Sequence, residues 1–455
     1  MGIGRNRSAT AVARKSTRYA GPKKRNPLRG LFWATYILIV LTVGRIVDIV
    51  PVLSSLPLVK IALLYVVFAL MVYWKLLPAV VAADNPAVKW AMAFAIWIVV
   101  SFSFSIWLGP SRDFILVQLP ILSVIVLLIC KLSGDWEPLK KIYLSLVISA
   151  LIQAVPGLLA FSGGRLALNA TYDTNELAYM LDGIIPAALA FAMTEASRKR
   201  RMFFFGATGI MIVAIILTGS RGGIFGLLFS GAFIVLDPGR LRPHAAGVSR
   251  APPRKVGMSA KTRIVLVLAA CAVIGAVAWP QLPKETKERL ASMLSLGSDY
   301  NIDEKEGRVQ IWKRGLIALA ERPIGFGIGS YPMVDYKNGG LFYTAHNSLV
   351  LVTVELGPVG IVIYLTLLAC LWRGLARIRR LQKQLREPSD LQQQQAVFCR
   401  MLQASLVANF VAGMFLSATY YYGHWVNIAL AMAFIAFMNR QKLEPNLDAN
   451  GLVRR

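Results

Sequence analysis

The chain has 455 residues, 56% of them hydrophobic, with a formal net charge of +27 and a positive mean hydropathy. That apolar share excludes an ordinary soluble domain and puts the chain among integral membrane proteins. The positive charge is no sign of nucleic acid, because its distribution follows membrane topology.

A basic tail over residues 1–30 comes first, carrying Arg5, Arg7, Arg14, Lys15, Arg18, Lys23, Lys24, Arg25 and Arg29. Apolar runs long enough to cross a bilayer follow near 31–50, 58–80, 90–108, 114–131, 142–161, 176–195, 202–218, 222–237 and 263–280. Three more lie near 347–372, 400–419 and 423–438. The length criterion for a spanning helix therefore gives about twelve spans. Runs 202–218 and 222–237 are short and are expected to tilt or re-enter. No cleavable signal peptide is expected, since the first apolar run is span-length and no small-residue cleavage site follows it.

Basic clusters recur in Arg198-Lys199-Arg200-Arg201, from Arg240 to Arg263, from Arg373 to Arg386, and at Arg440 and Lys442. They fall on every second loop if both termini are cytoplasmic, as the positive-inside rule requires. Loop 238–262, rich in Pro, Gly, Arg and Ser, reads as a flexible cytoplasmic linker, and 439–455 as a cytoplasmic tail. Residues 373–395, with their Gln run, read as a helix extending inward from the tenth span. The other face holds one long loop, 281–345, in which Glu285–Leu296 and Glu306–Glu321 have apolar residues at helical spacing. Both are expected to be amphipathic helices lying on the membrane surface or capping the bundle. The domain plan is thus helices one to nine over 31–280, an outer loop over 281–345, and helices ten to twelve over 346–438. Cys130, Cys271, Cys370 and Cys399 show neither metal spacing nor a disulfide pattern and read as small hydrophobes.

The same face gathers cations. Arg165 follows Ser162-Gly163-Gly164, Arg221 stands in Thr218-Gly219-Ser220-Arg221-Gly222-Gly223, Arg308 opens an amphipathic helix, and His346 begins the tenth span. Arginine at the outer boundary opposes the positive-inside bias. Its planar fork suits phosphate oxygens, and imidazole can take a proton from a hydroxyl. The plainer readings are a headgroup anchor for an arginine and a loop hydrogen bond for the histidine. Glycines beside Arg221 would let backbone approach a ligand. His424 reads as the polar tip of an aromatic belt, and His244 as a solvated loop residue. Asp182 and Glu355 lie within spans, Glu355 being expected to pair with an arginine elsewhere in the bundle. Asp173 and Glu176 start the sixth span, either to bind a sugar hydroxyl or to cap the helix. No metal-ligand cluster or cofactor motif appears, so metal-independent chemistry without a cofactor is expected.

Gly307-Arg308-Val309-Gln310-Ile311-Trp312, then Arg322 to Gly329, then His346-Asn347-Ser348 with Glu355-Leu356-Gly357 and Gly360, resembles the core signature of the O-antigen ligase and polysaccharide polymerase superfamily. A weaker likeness runs through Asn169 to Pro186 and Thr218 to Gly226, with Asp173-Thr174-Asn175 where relatives often have Asp-Pro-Asn. The resemblance implies an all-α, C-type glycosyltransferase-like membrane fold in the bacterial inner membrane, with its site facing the periplasm. It further implies an undecaprenyl-diphosphate-linked glycan as donor and lipid A-core, or another lipid-linked glycan, as acceptor. His346 would be the general base, Arg221 and Arg308 would hold the diphosphate, and Arg165 would assist at the same anion. Inversion at the anomeric carbon would follow, with a ligase slightly favoured over a polymerase. A transporter of lipid-linked sugars or small anions ranks behind, because paired intramembrane carboxylates and an inverted repeat are both missing from the sequence.

Overall fold

The computed structural model describes residues 28–76, 85–168, 173–236, 279–291, 306–385 and 388–443. These residues form helices and no strand. Helices α1 (Arg29–Val43), α2 (Leu58–Tyr73), α3 (Pro86–Ser101), α4 (Leu108–Leu132), α5 (Trp136–Leu159), α6 (Thr174–Thr194), α7 (Arg198–Thr218) and α8 (Arg221–Leu236) come first. The segment α9 (Lys284–Ala291), α10 (Arg308–Glu321) and α11 (Tyr331–Lys337) follows, then α12 (Ser348–Gln384), α13 (Asp390–Gly413) and α14 (Tyr422–Leu443). Eight of the helices are long and apolar enough to cross a membrane, and α1 and α8 are shorter apolar helices. The chain is therefore an all-α, multi-pass membrane protein.

Each apolar run read from the sequence overlaps a helix except 263–280, of which 263–278 lie outside the described residues, as do 77–80 of the second run, His244 and Cys271. Burial sorts the helices into layers. Nearly every side chain of α6 is buried among α5, α7, α8 and α13, while α2 turns Ile61, Leu64, Phe68 and Met71 outward, as a lipid-facing helix does. Small residues let the centre close up. A Cβ on Gly222 would fall 2.7 Å from Phe415 Cβ, and one on Gly223 would fall 2.5 Å from Ala178 Cβ. These glycines admit helices α13 and α6 rather than a ligand, which corrects the sequence reading of that turn.

The Gln run also belongs elsewhere than expected. Helix α12 ends at Gln384, and Ser389 caps α13 with a capping box closed by Gln392. A Ser-x-x-Gln pattern was present in the sequence to mark that start.

Helix α12 is broken at Gly357, whose φ of 69° is left-handed, and is followed by Pro358. Proline has no N–H, so the Val354 carbonyl four residues back loses its helical donor. Phe326 N supplies that bond at 3.1 Å, Gly327 N reaches the Glu355 carbonyl at 2.8 Å, and Trp97 Nε1 takes the Leu356 carbonyl at 2.8 Å. The Pro323 to Gly329 segment is stitched into the break, and the α10–α11 unit is thereby fixed to the bundle. Gly357→Ala would place a Cβ 2.5 Å from the Ile324 carbonyl oxygen. The left-handed backbone alone costs about 1–3 kcal/mol. A lowered thermal midpoint and faster proteolysis around residues 323–330 are expected in detergent, and an unchanged midpoint would contradict the clamp.

Candidate active site

Arg221 is presented by a tight turn. Gly219, at φ 60°, ends α7, and Ser220 starts α8 with its Oγ accepting from Gly223 N at 3.3 Å. Thr218 Oγ1 accepts from Ser220 N at 3.1 Å, so both residues before Arg221 are held. Arg165 braces this turn. Its Nε donates to the Thr218 carbonyl at 2.9 Å and its guanidinium to Asn175 Oδ1 at 3.3 Å.

Asn175 donates to Asp173 Oδ2 at 2.8 Å, and Thr174 Oγ1 donates to Asp173 Oδ1 at 3.0 Å. Burial alone would raise the Asp173 carboxyl. The hydrogen bonds from Asn175 and Thr174, with the Arg165 charge, outweigh burial and hold it below the ordinary carboxylate range. Asp173 is therefore a fixed negative charge beside the cations.

His346 has a strained backbone. Its φ of 47° is left-handed, a region where histidine, with asparagine and aspartate, is less rare than most side chains. The residues around it leave little freedom. Trp312 Nε1 donates to the Ala345 carbonyl at 2.6 Å, and Thr344 Oγ1 bonds Ser417 Oγ at 2.9 Å. Asn347 caps α12 by accepting from Leu349 N and Val350 N, and Ser348 Oγ donates to the Leu416 carbonyl at 2.8 Å. His346 Nδ1 is buried without a hydrogen-bond partner among the described residues. Burial first, and the Arg308 charge second, pull its pKa below the ordinary 6.5, with Asp173 opposing. The ring is then a neutral base at physiological pH.

His346, Arg308 and Asp173 thus act on one another, and Asp173 joins them to Arg165 and the Arg221 turn. The α13–α14 connection links the two sides, since Phe415 packs on Gly222 while Leu416 and Ala418 bond Ser348. The predicted histidine and arginines are brought to one end of the bundle.

Other expectations resolve differently. Among the described residues, Glu355 forms no ion pair with an arginine, against expectation. Its Oε1 accepts from Tyr331 N at 3.1 Å and its Oε2 from Tyr420 OH at 3.2 Å, so it anchors the start of α11. Asp182 is buried against Gly226, within the bundle. His424 is buried and bridges Tyr364 OH, at 2.9 Å, and Asn409 Nδ2, at 3.3 Å, instead of tipping a surface belt. With Asn409 donating to Nδ1, a neutral ring carries its proton on Nε2 and donates to Tyr364.

Arg45 was not anticipated. It follows α1 at φ 49°, bonds Asp48, and lies within electrostatic reach of Glu176, whose Oε1 accepts from Tyr421 OH. The boundary argument that singled out Arg165 and Arg221 applies equally to an arginine after the first apolar run.

Residues 206–365 match the family model for O-antigen ligase. No curated protein matches the chain. The matched segment contains Arg221, Arg308 and His346, while Arg45, Arg165 and Asp173 lie outside it.

Proposed function

From a chain whose residues 206–365 match the family model for O-antigen ligase, we propose a metal-independent, inverting glycosyltransferase. It moves a glycan from undecaprenyl diphosphate to an acceptor hydroxyl on the periplasmic face of the bacterial inner membrane, with both termini cytoplasmic. Lipid A-core is the acceptor of the ligase reading. The polymerase reading uses a second lipid-linked repeat unit and rests on the same donor chemistry.

The observation that carries the proposal is a half-buried, neutral imidazole within electrostatic reach of Arg308, at the end of the bundle where Arg165 fixes the Arg221 turn. In the reaction, His346 takes the proton of the acceptor hydroxyl as its oxygen attacks the anomeric carbon. The bond from that carbon to the diphosphate oxygen breaks, and the electron pair leaves with undecaprenyl diphosphate. Arg221 and Arg308 hold the diphosphate and stabilise the charge that grows on it. Arg165 supports the same anion and keeps the Arg221 turn in place. One displacement inverts the anomeric centre without a carboxylate nucleophile.

Protonation gives a direct test. A base must be unprotonated, so transfer is expected to rise along an acid limb with its midpoint below 6.5 and to level off towards neutrality. Arg308→Gln removes a charge that lowers the His346 pKa, and so is expected to move that limb to higher pH as well as weaken donor binding. A wild-type limb above 6.5, or one unmoved in Arg308→Gln, would contradict the assignment of the base. A chelator is expected to leave transfer unchanged. Inhibition that added divalent metal reverses would overturn the metal-independent mechanism.

A further inference from the structure

Behind the Tyr179 side chain, on the same end of the bundle as His346, a cleft of about 360 Å³ runs inward between α1, α6, α13 and α14. Arg45 and Glu176 line its outer part, with Tyr421 beside them, and Asn409, His424 and Asn427 line its depth. The volume is at the lower end of the roughly 300–1,000 Å³ typical of small-molecule sites.

The deep wall is polar and incompletely bonded. Asn409 and Asn427 are 3% and 2% exposed. Their Nδ2 groups are used, on His424 Nδ1 at 3.3 Å and on the Gly183 carbonyl at 3.2 Å. Their Oδ1 atoms are buried with no hydrogen-bond partner among the described residues. Both atoms are closed to solvent, and Asn409 Oδ1 lies against Gly183, so the polar groups a ligand would meet are those of the outer wall, the Arg45 guanidinium, the Glu176 carboxylate and Tyr421. Tyr179 and Tyr421, edge to face with centroids 6.0 Å apart, add aromatic surface to the wall. A carboxylate and a guanidinium beside aromatic rings suit a ring bearing adjacent hydroxyls, each of which both donates and accepts.

We propose that this cleft is a subsite for one sugar ring of the glycan substrates. The identity of that sugar as part of a transferred or accepting glycan rests on the function proposed above; sugar binding itself does not. All residues lining the cleft lie outside 206–365. The proposed base His346 and the proposed diphosphate arginines Arg221 and Arg308 lie inside that segment, so the cleft is separate from them in sequence.

The test is saturation-transfer NMR on the full-length protein in lipid nanodiscs, with free glucose, galactose, N-acetylglucosamine and rhamnose as probes. At least one sugar is expected to receive saturation. Arg45→Asn, which keeps a residue that tolerates left-handed backbone, should weaken that binding about tenfold. Glu176→Gln, whose amide oxygen can still accept from the Tyr421 hydroxyl, should do the same while holding the thermal midpoint. His346→Ala should bind the sugar as the wild type does. No saturation with any of the sugars, or equal saturation in wild type, Arg45→Asn and Glu176→Gln, would overturn the subsite. Sugar binding by a protein that transfers no glycan would overturn the glycosyltransferase reading and leave the cleft standing; transfer without sugar binding would do the reverse.

Discussion

His346→Ala is expected to lower glycan transfer by at least about 10²–10⁴-fold, the usual contribution of a positioned general base, with membrane insertion unchanged. The size follows from how the imidazole is held. Ala345, Asn347 and Ser348 are each fixed by bonds to α10, α12 or the α13–α14 connection, so the backbone that carries the ring is held. Its left-handed backbone raises a rival explanation, because alanine is strained there whatever its side chain does. His346→Asn separates the two. Asparagine tolerates that backbone but offers no base, so it should fail as alanine does. Recovery of transfer in His346→Asn would assign the alanine defect to strain and remove the imidazole from the chemistry.

Arg221→Lys is expected to fail nearly as badly as Arg221→Ala, each losing about 10²–10³-fold. That is the scale on which losing a single preorganised donor to a developing oxyanion is felt. Lysine keeps the charge but replaces a planar fork by a point donor, which cannot meet two phosphate oxygens together. The Gly219–Ser220 turn is bonded independently of the Arg221 side chain, so neither variant should disturb the fold. Full activity in Arg221→Lys would show that charge alone suffices.

Hydropathy made the helices legible because lipid demands long apolar stretches whose backbone bonds close internally. It could not show which helices meet. Gly222 and Gly223 looked like a ligand approach, and only the positions of Phe415 and Ala178 show them to be packing surfaces. Glu355 was expected to find an arginine because a buried carboxylate needs donors. Those donors are the Tyr331 backbone N–H and the Tyr420 hydroxyl, and backbone donors have no sequence signature. Pro358 within an apolar run did mark a break in principle, yet the bonds that Phe326 and Gly327 make to it come from a segment remote in sequence. At the candidate site, the boundary position of arginine was signal enough for Arg165, Arg221 and Arg308. It was present for Arg45 too, directly after Gly44, and went unused because the first connection carries no other mark of a site. Asn409 and Asn427 were out of reach, since one asparagine in an apolar helix is indistinguishable from a structural one until its neighbours are known.

The most direct measurement is transfer by the purified protein given a polyprenyl-diphosphate-linked glycan, with lipid A-core supplied in one tube and withheld from the other. Glycan attached to lipid A-core alone is the expected result and defines a ligase. Longer lipid-linked chains in the tube without core would make it a polymerase with the same donor chemistry. Product in neither tube would contradict the glycosyltransferase assignment for these substrates.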